Sequence, residues 1–293
     1  MWKTLLLGLL ALGLAPRTQA EGPFLRDKSF LTPDGVKLHY IEGGQGPLMV
    51  FLPGWTMPAT IWKDQLTRFG RDHHVVALDP RSHGLSADSP LRQNPRGWAD
   101  DLETLLRRLG DEPAVLVGWS LGGTAALAYL HDHDSTRVAA LVLVDAATGS
   151  SRYPWLLRRR TAFLESYRRD RPKATWNFIT GMFKTPQPRE FLRRLDEASL
   201  RVPPDSAVEL VQGEYNADEW NPKDSALRLP MVYLSSPGYL EAARWLVKRA
   251  PQTRLEPFMA SGHALFLDEP DHFEMAVRDF LKSIPNPTAG TSH

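Results

Sequence analysis

The chain has 293 residues, of which 42% are hydrophobic, 24% charged and 10% aromatic, with 24 prolines, 21 glycines and no cysteine. This ordinary globular composition excludes a disordered chain, a collagen and a disulfide scaffold. Zero cysteine removes thiol catalysis and thiolate metal sites, and a formal net charge of +1 gives no electrostatic reason to expect nucleic acid.

Residues 1–20 read as a secretory signal peptide. Lys3 is a short positive n-region, Thr4 to Ala15 is an uncharged leucine-rich run, and Thr18 and Ala20 are the small residues of a cleavage site. The apolar run is short for a bilayer span, so the expectation is export with cleavage near Ala20, to the periplasm or beyond. From residue 21 the signals alternate. Phe30 to Thr32 and Val36 to Glu42 flank Pro33-Asp34-Gly35 and predict a hairpin. Strands are predicted at Leu48–Leu52, His74–Leu78, Ala114–Val117, Val138–Val144, Met231–Leu234 and Arg254–Phe258. Helices are predicted at Ala59–Phe69, Trp98–Leu109, Leu121–Leu130, Tyr239–Ala250 and His272–Ile284, where apolar residues recur at helical spacing. Repeated β–α alternation predicts an α/β fold with a mostly parallel sheet flanked by helices. Residues 146–229 break the rhythm with helical, Pro- and Arg-rich sequence, which reads as an inserted helical cap on a core of 21–145 and 230–284. Residues 285–293 read as a flexible tail.

The chemistry is expected at three turns. In Gly118-Trp119-Ser120-Leu121-Gly122-Gly123 a strand runs through G-x-S-x-G directly into an Ala-rich helix. The glycines permit a sharp turn that lifts the serine oxygen above the sheet, into the field of the helix N-terminus. A serine nucleophile needs a base, and His263 lies in a loop between the last strand and the last helix, at the carboxyl end of the sheet. Gly54, in Leu52-Pro53-Gly54-Trp55, lets the backbone approach a substrate, so the N–H groups of Trp55 and Leu121 are the expected oxyanion donors. His83 and His133 read as structural, and so do the tracts His73-His74 and His131-Asp132-His133-Asp134, so no metal is expected. No glycine-rich phosphate loop stands out, so no cofactor is implied.

Together these residues resemble the α/β-hydrolase superfamily over about residues 30–283. The resemblance rests on Pro53-Gly54-Trp55, Asp79-Pro80-Arg81-Ser82-His83-Gly84-Leu85-Ser86, the Gly-Trp-Ser-Leu-Gly-Gly turn, Gly262-His263 and Phe266-Leu267-Asp268-Glu269-Pro270. It implies an α/β-hydrolase fold with a catalytic triad. The sequence departs at Pro53, where many members carry histidine, and at Ser82, where glycine is usual. The acid usually follows the strand occupied here by Met231 to Leu234, yet Ser235-Ser236-Pro237-Gly238-Tyr239-Leu240 contains no Asp. The resemblance leaves two replacements, Asp145 at the end of the strand Val138–Val144 and Glu241 three residues after Gly238. Asp145 is preferred because haloalkane dehalogenases and cofactor-free ring dioxygenases take their acid from that strand. The dehalogenases have Asp where this chain has Ser120, and the dioxygenases have histidines where it has Leu121 and Thr56-Met57.

The expected activity is hydrolysis of a carboxylic ester or related acyl compound, with Ser120, His263 and Asp145 as triad, on a small-molecule substrate. The alternatives are a cofactor-free oxygenase or C–C bond hydrolase on the same fold, or a binding protein that kept the pocket. Arg152 to Lys173 carries eight basic residues interleaved with Tyr153, Trp155, Leu156, Leu157, Phe163 and Tyr167. It reads first as a solvated cap helix whose aromatic face packs on the sheet. A weak contact with anionic membranes, or with an acidic acyl substrate, is the competing expectation. Trp176, Phe178, Met182 and Phe183 read as pocket or cap-core residues.

Overall fold

The computed structural model describes residues 24–148, 154–214 and 228–284, the side chains of Trp155 and Glu214 excepted. The predicted leader, the tail and parts of the predicted cap lie outside the described residues.

The hairpin forms as β1 (Arg26–Leu31) and β2 (Lys37–Gly43), joined by a turn in which Thr32 and Asp34 hydrogen-bond each other. Then follow β3 (Leu48–Leu52), β4 (His74–Asp79), β5 (Ala114–Trp119), β6 (Val138–Val144), β7 (Met231–Ser235) and β8 (Arg254–Pro257). Among the described residues they form one eight-stranded sheet in the order β1-β2-β4-β3-β5-β6-β7-β8. Only β2 runs against the others.

Helices cover both faces. They are α1 (Lys63–Phe69), α2 (Pro95–Leu109), α3 (Leu121–Asp132), α8 (Leu240–Arg249), the single turn α9 (Leu265–Asp268) and α10 (Pro270–Ser283). Among the described residues four more lie between β6 and β7: α4 (Pro154–Arg169), α5 (Arg171–Gly181), α6 (Arg189–Arg201) and α7 (Pro204–Glu214). The sequence expectation of one helix from Ala59 is corrected in part, since Ala59–Trp62 is a tighter 3-10 turn that feeds α1. The predicted helix from Tyr239 likewise begins with a 3-10 turn at Pro237–Tyr239.

Alternation along the strands explains why the central ones are apolar throughout. Leu48, Val50 and Leu52 face the core beneath α2 and α3, while Met49 and Phe51 face the core that holds Trp62, Phe266 and Phe273. A third apolar cluster joins Trp55, Trp98 and Leu121 to Leu164, Tyr167, Ala174, Val202 and Leu210 of the inserted helices. It seats those helices on the end of the sheet where β3, β5 and β6 finish.

The segment after β4 ties itself off. Asp79 is buried and accepts from the N–H groups of Ala59 and Leu85 and from His39 Nδ1 at 2.5–2.9 Å. A side chain at Gly84 (φ +52) would collide with the Asp79 carboxylate, which is why glycine stands there. Ser82, in the position of the usual glycine, does adopt φ 64, and its N–H donates to the Ala87 carbonyl. Fully buried Arg81 clamps Asp101 with two bonds of 2.6 and 2.8 Å. This run is therefore scaffold, and it holds the loop from which α2 departs.

Candidate active site

Each candidate group leaves the carboxyl end of a parallel strand, where open α/β sheets bind ligands. Trp119 pairs with Val144 across β5 and β6, so the next residues, Ser120 and Asp145, emerge side by side. The Ser120 N–H is fastened to the Val144 carbonyl at 2.8 Å. Ser120 itself is held at φ 52 and ψ −119, a conformation that L-residues avoid. The surrounding glycines are what make this turn possible. A side chain at Gly122 would lie 2.4 Å from the Leu52 carbonyl oxygen, and one at Gly118 would lie 2.6 Å from the Gly123 backbone.

Ser120 and His263 line the same cavity, of about 420 Å³. Asp145 is fully buried, and its Oδ2 lies 3.2 Å from His263 Nδ1. A carboxylate only accepts, so His263 Nδ1–H donates to it and leaves Nε2 with its lone pair. The Asp145 carboxylate also accepts from the Ser236 N–H at 2.7 Å on Oδ1 and from the Ser236 hydroxyl at 2.5 Å on Oδ2. The backbone at Asp145 has φ 45, a second strained position beside the serine. Glu241, the alternative acid, sits in the first turn of α8 with an exposed side chain. Asp145, and not Glu241, is the carboxylate brought to His263.

Two aromatic rings pack against the imidazole. Tyr239 stacks on it with ring centroids 4.8 Å apart and planes 15° from parallel. Trp119 lies 5.2 Å from it and donates its indole N–H to the His263 carbonyl at 2.8 Å. The His263 loop is locked from below by Asp268, which accepts from the N–H groups of Gly262, Lys184 and Thr185. The Ala264 N–H donates to the Met182 carbonyl. The helix-connecting segment Met182 to Thr185 and the His263 loop thus share one set of bonds. Ser236, Tyr239, Trp119 and Asp268 were not singled out from sequence as site residues. The Ser235-Ser236-Pro237 run and the Asp five residues after the histidine are the signals that bear on them.

Gly54 closes the third side. A side chain there would meet Trp119 at 3.1 Å and the Ser120 Cβ at 3.3 Å, so glycine lets this loop come against the serine. Leu121 is the first residue of α3, where N–H groups have no partner within the helix. Gly123 and Thr124 already donate to the Ser120 carbonyl. The Trp55 indole N–H donates to the Ala207 carbonyl at 2.7 Å, and its ring stands edge-on to Phe163, Tyr167 and Phe178 at 5.0–5.6 Å.

This corrects one expectation: the aromatic face of α4 packs on Trp55 and on Phe178 of α5, rather than on the sheet, and it walls the cavity. Phe178 and Met182 line the cavity, Phe183 packs on Phe191 beside it, and Trp176 is half-buried outside the lining. Among the described residues, the other histidines singled out from sequence have their own partners away from the cavity. His73 and His131 bond the adjacent Asp72 and Asp132, His74 bonds Glu42, and His133 bonds Asp100. His83 is wholly buried against Trp98, and burial pushes its pKa down to about 4. Among the described residues no helix is long and apolar enough to cross a membrane.

The sequence profile of the Alpha/beta hydrolase family matches residues 49–274. The chain is 26% identical to the AB hydrolase superfamily protein YisY of Bacillus subtilis, over 86% of this chain and 98% of that protein. It is 27% identical to a pimeloyl-[acyl-carrier protein] methyl ester esterase of Vibrio parahaemolyticus, over 84% of this chain and 99% of that one. Among solved structures, an esterase from Exiguobacterium antarcticum superposes with a TM-score of 0.78 at 23% identity, covering 87% of this chain and 99% of its own.

Proposed function

The chain belongs to the alpha/beta hydrolase family, and from that premise we propose that it is a serine esterase that cleaves small carboxylic esters through an acyl-enzyme. Ser120 Oγ attacks the ester carbonyl carbon while His263 Nε2 takes its proton. The tetrahedral oxyanion lies toward the N–H groups of Trp55 and Leu121. Collapse expels the alcohol, which receives the proton from His263. Water, activated by the same imidazole, then attacks the acyl carbon and releases the acid from Ser120. Asp145 fixes the tautomer in which Nε2 accepts a proton, and it stabilises the imidazolium that forms. The observation that carries this reading is the pairing of buried Asp145 with half-buried His263 at 3.2 Å, with the imidazole in the cavity that Ser120 also lines. The named esterases among the similar proteins support the ester as the substrate class.

The test is a fluorophosphonate probe followed by peptide mass spectrometry. Labelling at Ser120, absent in Ser120→Ala, is the expected result. A folded protein that neither labels nor hydrolyses p-nitrophenyl butyrate would refute the esterase reading. The leader-like residues 1–20 support action after export. N-terminal sequencing of the mature protein checks this, because a chain that keeps Met1 would contradict cleavage.

A further inference from the structure

The turn after β7 serves two members of the proposed triad at once. Ser236 gives its N–H and its hydroxyl to the Asp145 carboxylate. Pro237–Tyr239 then makes one 3-10 turn, closed by a bond from the Tyr239 N–H to the Ser236 carbonyl at 3.1 Å. That turn lays the Tyr239 ring on the imidazole of His263 with the planes 15° apart, and the same residue lines the cavity.

Asp145 and Tyr239 meet the imidazole differently. The carboxylate takes the Nδ1 edge, and the phenol ring covers a face. Against a neutral imidazole this is an offset stack of two aromatic rings. Once His263 holds the Ser120 proton it is an imidazolium, and a cation within about 6 Å of a ring centroid is drawn to the negative face of that ring. The two centroids are 4.8 Å apart. The attraction is therefore stronger after proton transfer than before it, and only an interaction that strengthens toward the transition state speeds the chemical step. Trp119 is placed otherwise. Its plane is tilted 45° at 5.2 Å, and its indole N–H is committed to the His263 carbonyl, so it holds the loop.

We propose that Tyr239 is a positioning residue for the base: its ring face orients the His263 imidazole and stabilises the imidazolium formed in both halves of the acyl-enzyme cycle. The proposal rests on the esterase reading for its chemistry, but the response of the imidazole to the ring face is separable from ester turnover.

Fluorination tests it, because fluorine drains charge from an aromatic face with little change in size. Tyr239→Phe is the reference, and mono-, di- and trifluorinated phenylalanines are introduced at the same position. With p-nitrophenyl butyrate, log kcat should fall in step with fluorine number, about fivefold across the series, the scale of one cation–π contact, while KM stays within about twofold. Tyr239→Leu, which keeps apolar bulk without a ring face, should lose at least as much kcat as the trifluorinated variant. A ring that merely packs gives a flat series in kcat, and that result would overturn the proposal. The second measurement needs no esterase activity. In Ser120→Ala, diethyl pyrocarbonate acylates the imidazole of His263 and places positive charge on it during attack, and peptide mass spectrometry reads the rate at that residue alone. The rate should again fall about fivefold with fluorination, and equal rates would overturn the proposal. If wild-type Ser120 resists the fluorophosphonate probe, the esterase reading fails, and the acylation rates still decide whether the Tyr239 face supports charge on His263. Equal thermal unfolding of the fluorinated variants excludes a trivial loss of fold.

Discussion

Asp145→Asn separates the role of the Asp145 charge from its shape, and the structure dictates which way the new amide must turn. Oδ1 accepts the Ser236 backbone N–H at 2.7 Å. An amide NH2 placed there would face the buried Ser236 N–H donor to donor, at a cost of about 1–3 kcal/mol. The asparagine oxygen therefore stays on the Ser236 N–H, and its NH2 takes the place of Oδ2, facing Ser236 Oγ, whose hydroxyl can rotate to accept, and His263 Nδ1 at about the present 3.2 Å. Nδ1 must then accept, which moves the imidazole proton to Nε2, the nitrogen that should receive the Ser120 proton. The expected loss in kcat is on the order of 10³–10⁴, equivalent to about 4–5.5 kcal/mol of transition-state stabilisation. Steady-state hydrolysis of p-nitrophenyl butyrate measures it, with fluorophosphonate labelling rates as a check on the nucleophile alone. Glu241→Gln is the control. Its side chain is exposed on α8, so kcat should stay within about twofold, as is usual for surface changes. An Asp145→Asn enzyme within about tenfold of wild type would refute the tautomer argument, whereas a dead Glu241→Gln enzyme would move the acid to α8.

Three further outcomes follow from the scaffold. Gly122→Ala places a carbon 2.4–2.5 Å from the Leu52 and Pro53 carbonyl oxygens, which cannot rotate away. Soluble yield and Tm should drop, with a loss of roughly 3 kcal/mol or more, and normal stability would show that the loop after β3 yields easily. Asp268→Asn leaves one acceptor oxygen for donors that now occupy both, so thermal denaturation should show a loss of about 2–3 kcal/mol, or roughly 5–10 °C in Tm, together with a lower kcat as the His263 loop slackens. His83 is held by burial at about 4, below its ordinary value of 6.5, so the folded state binds fewer protons than the unfolded state between those limits. Its contribution is intact above pH 6.5 and is lost as pH falls from 6.5 toward 4, by up to ~3 kcal/mol. Urea denaturation of His83→Asn across that window should show a flatter pH slope than wild type, and parallel slopes would refute the assignment.

Ser120 and His263 were legible in the sequence because their requirements are local. The turn at Ser120 needs missing side chains at Gly118 and Gly122, since any Cβ there strikes main chain, and a strand and a helix on either side make that requirement visible. The alternation of strands and helices was legible for the same reason, because each period is set by near neighbours. The cap's packing was not legible. Whether the aromatic face of α4 meets the sheet or Trp55 depends on contacts spanning more than 100 residues, such as the bond from the Trp55 indole to the Ala207 carbonyl.

The proposed acid was the least legible member, and the reason is register. Asp145 differs from any other aspartate at the end of a strand only because Trp119 pairs with Val144, which sets it level with Ser120. Nor does glycine mark its unusual backbone. Asp145 and Ser82 take positive φ without it, Asp145 fixed by its N–H bond to the Leu234 carbonyl and Ser82 by the bond of its N–H to the Ala87 carbonyl, instead of by a permissive residue. The missing Asp after β7 then acquires a physical explanation. Ser235-Ser236 ends β7 beside Asp145, and Ser236 directs both its N–H and its hydroxyl into the carboxylate. An acid at Ser236 would put a second buried negative charge against the first, which costs several kcal/mol and would push one of them to protonate. The two strand ends are therefore complementary. Once β6 supplies the carboxylate, β7 must supply donors, and a small hydroxyl residue without charge is what the sequence has there.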